Sequence, residues 1–161
     1  MEPLFTLAEL RDAARLVAEQ VPPTRQIAWP LLRERLGIEI WIKHENQTPT
    51  GAFKARGAVT YIDWLRRNYP DVRGIISATR GNHGQSIARA ARAAGLEAVI
   101  LVPHENSAEK NRAMRAFGAE LIEYGADFDE ARQQAQRLAE ERGLWMVPAF
   151  DRELVRGVAT Y

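Results

Sequence analysis

The stretch GIISATRGNHGQSIARAARAAGLEAVILV, residues 74–102, decides the fold. Its short apolar run Gly74–Ala78 predicts a buried strand, the alanine-rich segment Gly84–Ala94 predicts a helix that ends at Gly95, and Ala98–Val102 predicts the next strand. Short apolar strands that alternate with helices are typical of a parallel sheet that helices cover on both faces.

The same alternation continues towards the carboxyl terminus. The predicted elements are a helix over Ser107–Phe117, a strand over Glu120–Tyr124, a helix over Phe128–Arg142 after the N-cap Asp127, and a strand over Leu144–Val147. Residues 151–161 predict the opening of a further helix. We therefore expect an α/β protein with an open, mostly parallel sheet and helices on both faces.

The first seventy residues contain more helix than strand. A capping box formed by Thr6 and Glu9 opens a predicted helix that runs to about Gln20. The other predicted elements are a short helix over Pro30–Leu36 closed by Gly37, a strand over Ile38–Ile42, and a helix from Phe53 to about Asn68.

The composition excludes several classes of function. With 161 residues, 46% of them hydrophobic and a net charge of +1, the chain suits one ordinary globular domain and lacks the basic excess of a nucleic-acid-binding protein. The absence of cysteine excludes a disulfide framework and a thiolate nucleophile. We find no signal peptide and no apolar run of membrane-spanning length, and we expect a cytoplasmic protein.

The turn after the first strand of this unit is a candidate ligand-binding loop. In open α/β sheets ligands bind at the carboxyl ends of strands, where the free amides of a following helix favour an anion. This loop has neither a GxxxxGK[ST] nor a GxGxxG fingerprint. On its own it fits two interpretations equally well: a ligand-binding loop, and a structural turn whose polar side chains form hydrogen bonds with the backbone. Its small and polar residues are Arg80, Gly81, Asn82, His83, Gly84 and Gln85.

A second stretch, TPTGAFKARGA at residues 48–58, places Lys54 among small and apolar residues. An amine nucleophile has three candidates, because the only lysines are Lys43, Lys54 and Lys110. A single lysine on an amphipathic helix usually extends its amine to water. We expect that fate for Lys43 and Lys110, and a structural ion pair or hydrogen bond for Arg56.

The segments KHENQTPTGAFKARGA and SATRGNHGQSIARAA together resemble the fold-type II pyridoxal-phosphate enzymes, and most closely the threonine/serine dehydratase and serine racemase group. The family writes the first motif as K-x-E-x-x-x-P-T-G-S-F-K-x-R-G-A, and Ala52 replaces its usual serine. The resemblance implies that Lys54 is the Schiff-base lysine, that Phe53 lies against the cofactor's pyridine ring and that Asn82 binds its 3′-oxygen. It also implies a loop for the substrate carboxylate, formed by Arg80, Gly81, Asn82, His83 and Gly84.

The resemblance further implies an ammonia-lyase that uses pyridoxal 5′-phosphate. Such an enzyme converts a threonine- or serine-like hydroxy amino acid by β-elimination to a 2-oxo acid and ammonia, with the freed lysine amine as the base. Arg80 stands where racemase-like relatives carry an acid/base serine, and a guanidinium does not exchange protons readily. We therefore expect elimination rather than racemisation. We also expect Arg80 to pair with an extra anionic group on a substrate such as 3-hydroxyaspartate. The substrate itself stays open, because relatives also act on hydroxyectoine-derived amino acids.

By the same resemblance, residues 1–70 are the N-terminal part of the large cofactor domain, 71–148 the small α/β domain, and 149–161 the start of the return into the large domain. The family's glycine-rich phosphate loop has no counterpart, because the chain has no two adjacent glycines. We therefore expect a truncated form, weakly active or inactive by itself, with no metal site. Relatives are usually dimers or tetramers built through the larger domain, most of which this chain lacks, so the sequence leaves a homo-oligomer open and does not decide the oligomeric state.

Two alternatives to the enzyme stay open at this point. One is a non-catalytic remnant that acts as a small α/β binding or interaction module, which would keep both motifs. The other is an unrelated nucleotide-binding domain, which the missing phosphate fingerprints disfavour.

Overall fold

The computed structural model describes residues 3–160 and confirms the predicted α/β fold. Its helices are α1 (Leu7–Gln20), α2 (Pro30–Leu36), α3 (Lys54–Asn68), α4 (Asn82–Ala93), α5 (Ala108–Ala116), α6 (Phe128–Arg142) and α7 (Arg152–Val158). Its strands are β1 (Gln26–Ala28), β2 (Trp41–Lys43), β3 (Gly74–Ala78), β4 (Glu97–Val102), β5 (Glu120–Glu123) and β6 (Trp145–Met146). A turn of 3-10 helix, Glu45–Gln47, follows β2.

The central sheet has four parallel strands in the order β5-β4-β3-β6. Because side chains alternate along a strand, Ile75 and Ile100 pack with the buried residues of α3, α4 and α5, whereas Ile76 and Val99 pack with the alanines of α6. Helices therefore cover both faces, as the apolar strands predicted. The carboxyl ends of all four strands lie at one edge of the sheet.

The predicted start and stop signals of the helices are confirmed. In the capping box of α1 the Thr6 amide donates to Glu9 Oε2 at 2.7 Å and the Glu9 amide donates to Thr6 Oγ1 at 3.2 Å. Asp127 accepts from the Glu130 amide at 2.9 Å and begins α6. Gly37 and Gly143 end α2 and α6 with left-handed φ values of 70° and 64°.

The strand predicted over Ile38–Ile42 is shorter and lies further along the chain. The structure has only Trp41–Lys43, paired antiparallel with β1, a strand that the sequence did not predict. Ile38 and Trp41 are exposed, so the alternation of apolar and polar residues over Ile38–Ile42 does not correspond to a buried face of a strand. The expectation that Lys43 is solvated is also wrong, because its amine donates to the Thr24 carbonyl at 2.9 Å.

Helices α3 and α7 cross at a very short distance because a glycine lies on each side. A Cβ added at Gly157 would lie 2.8 Å from the Arg56 carbonyl carbon, and one added at Gly57 would lie 3.1 Å from the Leu154 carbonyl carbon. The Thr60 hydroxyl also donates to the Glu153 carbonyl, at 2.7 Å. The contact fixes the return segment after β6 against the helix that begins with Lys54.

The helix predicted within residues 151–161 is α7, and Tyr161 lies outside the described residues. Within residues 3–160 no helix is long and apolar enough to cross a membrane. The same part of the chain contains no group of three or more His, Cys, Asp or Glu side chains that could hold a metal ion.

We expect Gly157→Ala to lower the free energy of unfolding by about 1–3 kcal/mol, because the added methyl group forces the two helices apart. Helix propensity alone predicts that Gly157→Ala raises the free energy of unfolding, since alanine stabilises a helix interior by about 1 kcal/mol relative to glycine. Urea unfolding of the variant, with the exposed substitution Ala159→Ser as control, measures the difference. A Gly157→Ala protein as stable as the parent chain would contradict the close crossing.

Candidate active site

The turn between β3 and α4 precedes His83, the one residue of this turn and the first turn of α4 that lines the cavity described below. Helix α4 begins at Asn82 rather than near Gly84, so Asn82 and His83 lie in its first turn. No side chain caps this helix, and the Gly81 amide instead donates to Thr79 Oγ1 at 3.1 Å. Amides in such an uncapped first turn can bind an anion.

Gly84 has a packing role in the same turn. A Cβ at this position would lie 2.5 Å from Thr79 Cγ2 and 2.6 Å from Met114 Sδ. Only glycine lets the start of α4 lie this close to the end of β3 and to α5. Gly84 therefore serves the packing of the helix start against the sheet and α5.

The segment before α3 positions Lys54. Thr48 is buried, its hydroxyl accepts from the Ala52 amide at 2.9 Å, and Gly51 has a left-handed φ of 66°. Lys54 is the first residue of α3, and its amine lies 5.7 Å from the centroid of the Phe53 ring. Lys54 is partly exposed and Phe53 is 45% exposed, so the lysine is only partly removed from water.

A buried pair of hydroxyls connects the two motifs. The Ser86 hydroxyl donates to the Asn82 carbonyl at 2.8 Å, and the hydroxyls of Thr50 and Ser86 lie 3.2 Å apart. Because Ser86 uses its proton on the Asn82 carbonyl, Thr50 must donate to Ser86. The lysine-bearing segment is thereby fixed against the first turn of α4.

A cavity of about 260 Å³ brings Lys54 and His83 together. It does not bring together all residues that the resemblance placed in the site, because Arg80, Gly81, Asn82 and Gly84 do not line it, and the side chains of Arg80 and Asn82 are exposed. The volume lies just below the usual range for small-molecule pockets, about 300–1,000 Å³. The lining residues are Phe53, Lys54, Gly57, His83, Ala149, Phe150, Leu154, Val155 and Val158.

His83 is an unsatisfied polar group at this cavity. The residue is 7% exposed, and its Nε2 has no hydrogen-bond partner in the described part of the chain. Burial, and after it the positive charge of Lys54, lower the pKa of His83 to about 4, while a hydrogen bond with the Pro148 backbone acts in the opposite direction. The imidazole is therefore neutral at neutral pH. A buried polar atom without a partner is costly, which favours a polar ligand group beside it.

Two other residues of the first motif, Glu45 and Arg56, hold the segment in place together with Thr24. Arg56 is buried and donates to both carboxylate oxygens of Glu45, at 2.8 and 3.0 Å, and Thr24 donates to the same carboxylate at 2.5 Å. Burial acts to raise the pKa of Glu45, but the hydrogen bonds from Arg56 and Thr24 outweigh it and lower that pKa. The predicted structural role of Arg56 is confirmed, and Glu45 is its partner.

Lys110 is a residue that sequence reasoning did not connect with the site. It is exposed on α5, as expected, but its side chain lies across Gly81. A Cβ at Gly81 would lie 2.7 Å from Lys110 Cδ and 3.2 Å from its Nζ. The contact joins the turn after β3 to the first turn of α5, and only the parallel order of β3 and β4 could have indicated it.

Comparison with known proteins identifies the class. A profile of the family described as pyridoxal-phosphate dependent enzyme matches residues 17–161, so the chain belongs to this family. The biosynthetic L-threonine dehydratase of Haemophilus influenzae is 40% identical over 138 residues, which cover 86% of this chain and 26% of that protein. The L-threo-3-hydroxyaspartate ammonia-lyase of Saccharomyces cerevisiae is 32% identical over 156 residues, which cover 96% of this chain and 48% of that protein.

The fold agrees with this assignment. The crystal structure of a pyridoxal 5′-phosphate-dependent aspartate racemase superimposes with a TM-score of 0.92 at 26% identity, over 98% of this chain and 49% of that one. The chain thus spans from about a quarter to a half of the length of the relatives it matches.

We expect the imidazole resonances of His83 to titrate with a pKa of about 4. Lys54→Met removes the neighbouring positive charge and should raise that pKa, but not to the ordinary 6.5, because burial is the larger cause. NMR titration of both proteins measures the shift, and Arg33→Met on the exposed face of α2 controls for loss of a distant cation. A His83 pKa near 6.5, or one that Lys54→Met leaves unchanged, would contradict the geometry.

Proposed function

We propose that the chain binds pyridoxal 5′-phosphate through Lys54 and belongs to an ammonia-lyase that eliminates water from a threonine- or serine-like hydroxy amino acid. The observation that supports this function is the cavity in which the Lys54 amine and the unpaired His83 meet, beside the uncapped first turn of α4. Two relatives, a threonine dehydratase and a 3-hydroxyaspartate ammonia-lyase, carry names of this reaction type.

The residues fit the aldehyde and ring end of the cofactor. The Lys54 amine lines the cavity and is the group that would bond to the aldehyde. Phe53 offers an exposed apolar surface at the same wall, and Asn82 in the adjacent turn would accept or donate a hydrogen bond at the ring oxygen. The unpaired Nε2 of His83 is a further indication that a polar group occupies this space. No segment of the chain matches the phosphate loop.

Each residue then has a task that follows from its chemistry. The cofactor, when bound, acts as an electron sink that makes the α-proton of an amino acid removable. Lys54 Nζ is the base that would take this proton. The amides at the start of α4 would hold the α-carboxylate. The lowered pKa of His83, about 4, makes its neutral imidazole a weak base that does not compete with Lys54 for the proton.

The reaction proposed is elimination rather than racemisation. A racemase needs a second group that returns a proton to the opposite face of the α-carbon. Arg80 stands at that position in the sequence, and a guanidinium is a poor acid/base group. With Lys54 alone able to exchange a proton there, loss of the β-hydroxyl is the favoured outcome.

The domain division is part of the same proposal. The parallel sheet lies within residues 74–146, which suits a small α/β domain over 71–148. Helices α3 and α7 pack on each other, which suits assignment of 1–70 and 149–161 to one larger domain. Because the chain spans half or less of its relatives, activity of the chain by itself is expected to be weak or absent.

A second candidate is a non-catalytic binding module. Phe53 and Phe150 at the cavity are 45% and 77% exposed, and such apolar surface suits contact with a partner. Both candidates keep the fold, so only chemistry at Lys54 separates them.

We expect pyridoxal 5′-phosphate followed by borohydride to label Lys54 at least about tenfold more than Lys43 or Lys110, because Lys54 alone lines the preformed cavity. Peptide mapping by mass spectrometry measures the label at each lysine. In a separate reaction without borohydride, any product that the loaded chain forms from L-threonine should be 2-oxobutyrate and ammonia, without D-allothreonine, the product of inversion at the α-carbon.

The matched control is Lys54→Arg, which keeps the positive charge and removes the amine that can bond to the aldehyde. It should lose the label at position 54 and all 2-oxo acid formation. Equal labelling of the three lysines of the parent chain would leave the binding module as the better account.

A further inference from the structure

We propose that His83 positions Lys54: once a bound ring covers Phe53, His83 Nε2 accepts a hydrogen bond from the lysine amine. This inference rests on the proposed function, since it concerns the lysine that would bond to the cofactor. It gives a task to a buried imidazole that forms no contact in the proposed reaction.

The first observation is the composition of the cavity wall. Of the nine residues that line the cavity, only Lys54 and His83 have a nitrogen or oxygen atom in the side chain. The Lys54 amine donates hydrogen bonds, and an imidazole nitrogen without a proton accepts them. The side chains of an otherwise apolar wall therefore offer one donor and one group that can accept from it.

The second observation fixes the proton of His83 on Nδ1. The imidazole forms a hydrogen bond with the backbone of Pro148, and a proline has no amide proton, so the imidazole must donate to the Pro148 carbonyl. Nε2 has no hydrogen-bond partner in the described part of the chain, so the donating atom is Nδ1. In a neutral imidazole the second nitrogen then carries a lone pair. His83 therefore presents an unused acceptor at the cavity.

The third observation is that the two groups lie near each other and are both unpaired. Within residues 3–160 the Lys54 amine has no hydrogen-bond or ion-pair partner, and it lies 5.7 Å from the centroid of the Phe53 ring. After burial, the charge of this amine is the second cause that lowers the pKa of His83, and charges have such effects over about 4–6 Å. Because lysine has a flexible four-carbon stem, the amine can turn from Phe53 to Nε2 without movement of α3.

Phe53 decides which of the two positions the amine takes. An aromatic face attracts a cation that lies within about 6 Å, so Phe53 holds the amine while its face is open. A flat ring that packs on Phe53 covers this face and excludes the amine from it. His83 Nε2 is then the one side-chain acceptor among the residues of the cavity wall. We therefore expect the free amine to move to His83 when a ring binds.

The contact would fix a base that is otherwise mobile. The acceptor is itself held in place, because His83 is only 7% exposed and its second ring nitrogen donates to Pro148. A base held in one orientation has less freedom to lose when it reacts. When Lys54 Nζ takes a proton from the substrate, the proton stays on Nζ and is shared with Nε2 only as a hydrogen bond, because the low pKa of His83, about 4, keeps the imidazole from taking it.

The test uses the chain after reaction with pyridoxal 5′-phosphate and reduction with borohydride. Reduction leaves the ring attached to Lys54 Nζ, which stays an N–H donor, so the ring remains at the cavity whatever its affinity. ¹⁵N spectra of the histidine rings at neutral pH should show His83 protonated at Nδ1 only, before and after the reaction. After the reaction the Nε2 resonance should move towards that of a hydrogen-bonded acceptor, while both nitrogens of His44, which accepts from Trp29, stay in place.

A proton on Nε2, or an Nε2 resonance that stays in place although Lys54 carries the ring, would overturn the proposal. A control shows whether the ring itself is the donor: Lys54→Met is titrated with pyridoxine 5′-phosphate, the same ring without an aldehyde. His83 Nε2 should stay in place in this titration. A shift as large as that in the reduced parent chain would assign the hydrogen bond to the ligand and would also overturn the proposal.

A matched pair of variants separates positioning from packing. The side chains of His83→Gln and His83→Met have similar length, both lose the bond to Pro148, and only glutamine can accept a hydrogen bond near the place of Nε2. With ¹³C-labelled lysine the chain has three Cε signals, from Lys43, Lys54 and Lys110. In the reduced chains the order parameter of Lys54 Cε should stay above about 0.6 in the parent and in His83→Gln and fall below it in His83→Met, with the exposed Lys110 flexible in all three.

An equal order parameter of Lys54 in the two variants would contradict a positioning role. The nitrogen spectra of the parent chain need no substitution at His83, and they decide the question if these variants do not fold.

Failure of this inference is distinguishable from failure of the proposed function. Selective labelling of Lys54 with an unmoved Nε2 removes the role of His83 and keeps the enzyme. Equal labelling of the three lysines removes the proposed function, and the positioning role falls with it.

Discussion

The close packing of α3 against α4 and α7 is the constraint on which the rest of the structure depends. Gly57 and Gly157 allow two helix backbones to lie in contact, and Leu65 and Tyr61 of α3 are buried in the same core as α4. This packing places the first residue of α3 beside the first turn of α4. The Lys54 amine and the His83 ring come to one cavity because of helix packing, without a direct bond between them.

The charges around the cavity divide into two groups. Glu45 and Arg56 neutralise each other in a buried pair, which fixes the segment before Lys54. Lys54, Arg80 and Lys110 have no such acidic partner in residues 3–160. Since His83 stays neutral at neutral pH, it adds no positive charge of its own. The positive field that an anionic cofactor or substrate meets comes from the lysines and the arginine.

The sequence predicted the fold well and the site only in part. The sheet and the helices of residues 74–146 followed from short apolar strands and clear caps such as Asp127, which are local signals. The hairpin of β1 and β2 was missed because none of its six residues is buried, so no buried face marks its strands in the sequence. The roles of Lys43 and Lys110 were likewise hidden, since each depends on a contact distant in sequence, to Thr24 and to Gly81.

The most direct test of the central claim is a titration of the chain with pyridoxal 5′-phosphate that follows the imidazole resonances of His83 and His44. If Lys54 and His83 line one cavity that accepts the cofactor, His83 should shift to a saturating end point, and Lys54→Met should abolish the shift. His44, whose Nε2 accepts from Trp29 at 3.2 Å in the distant hairpin, should not move. A His83 signal that stays in place while Lys54 becomes modified would contradict the account.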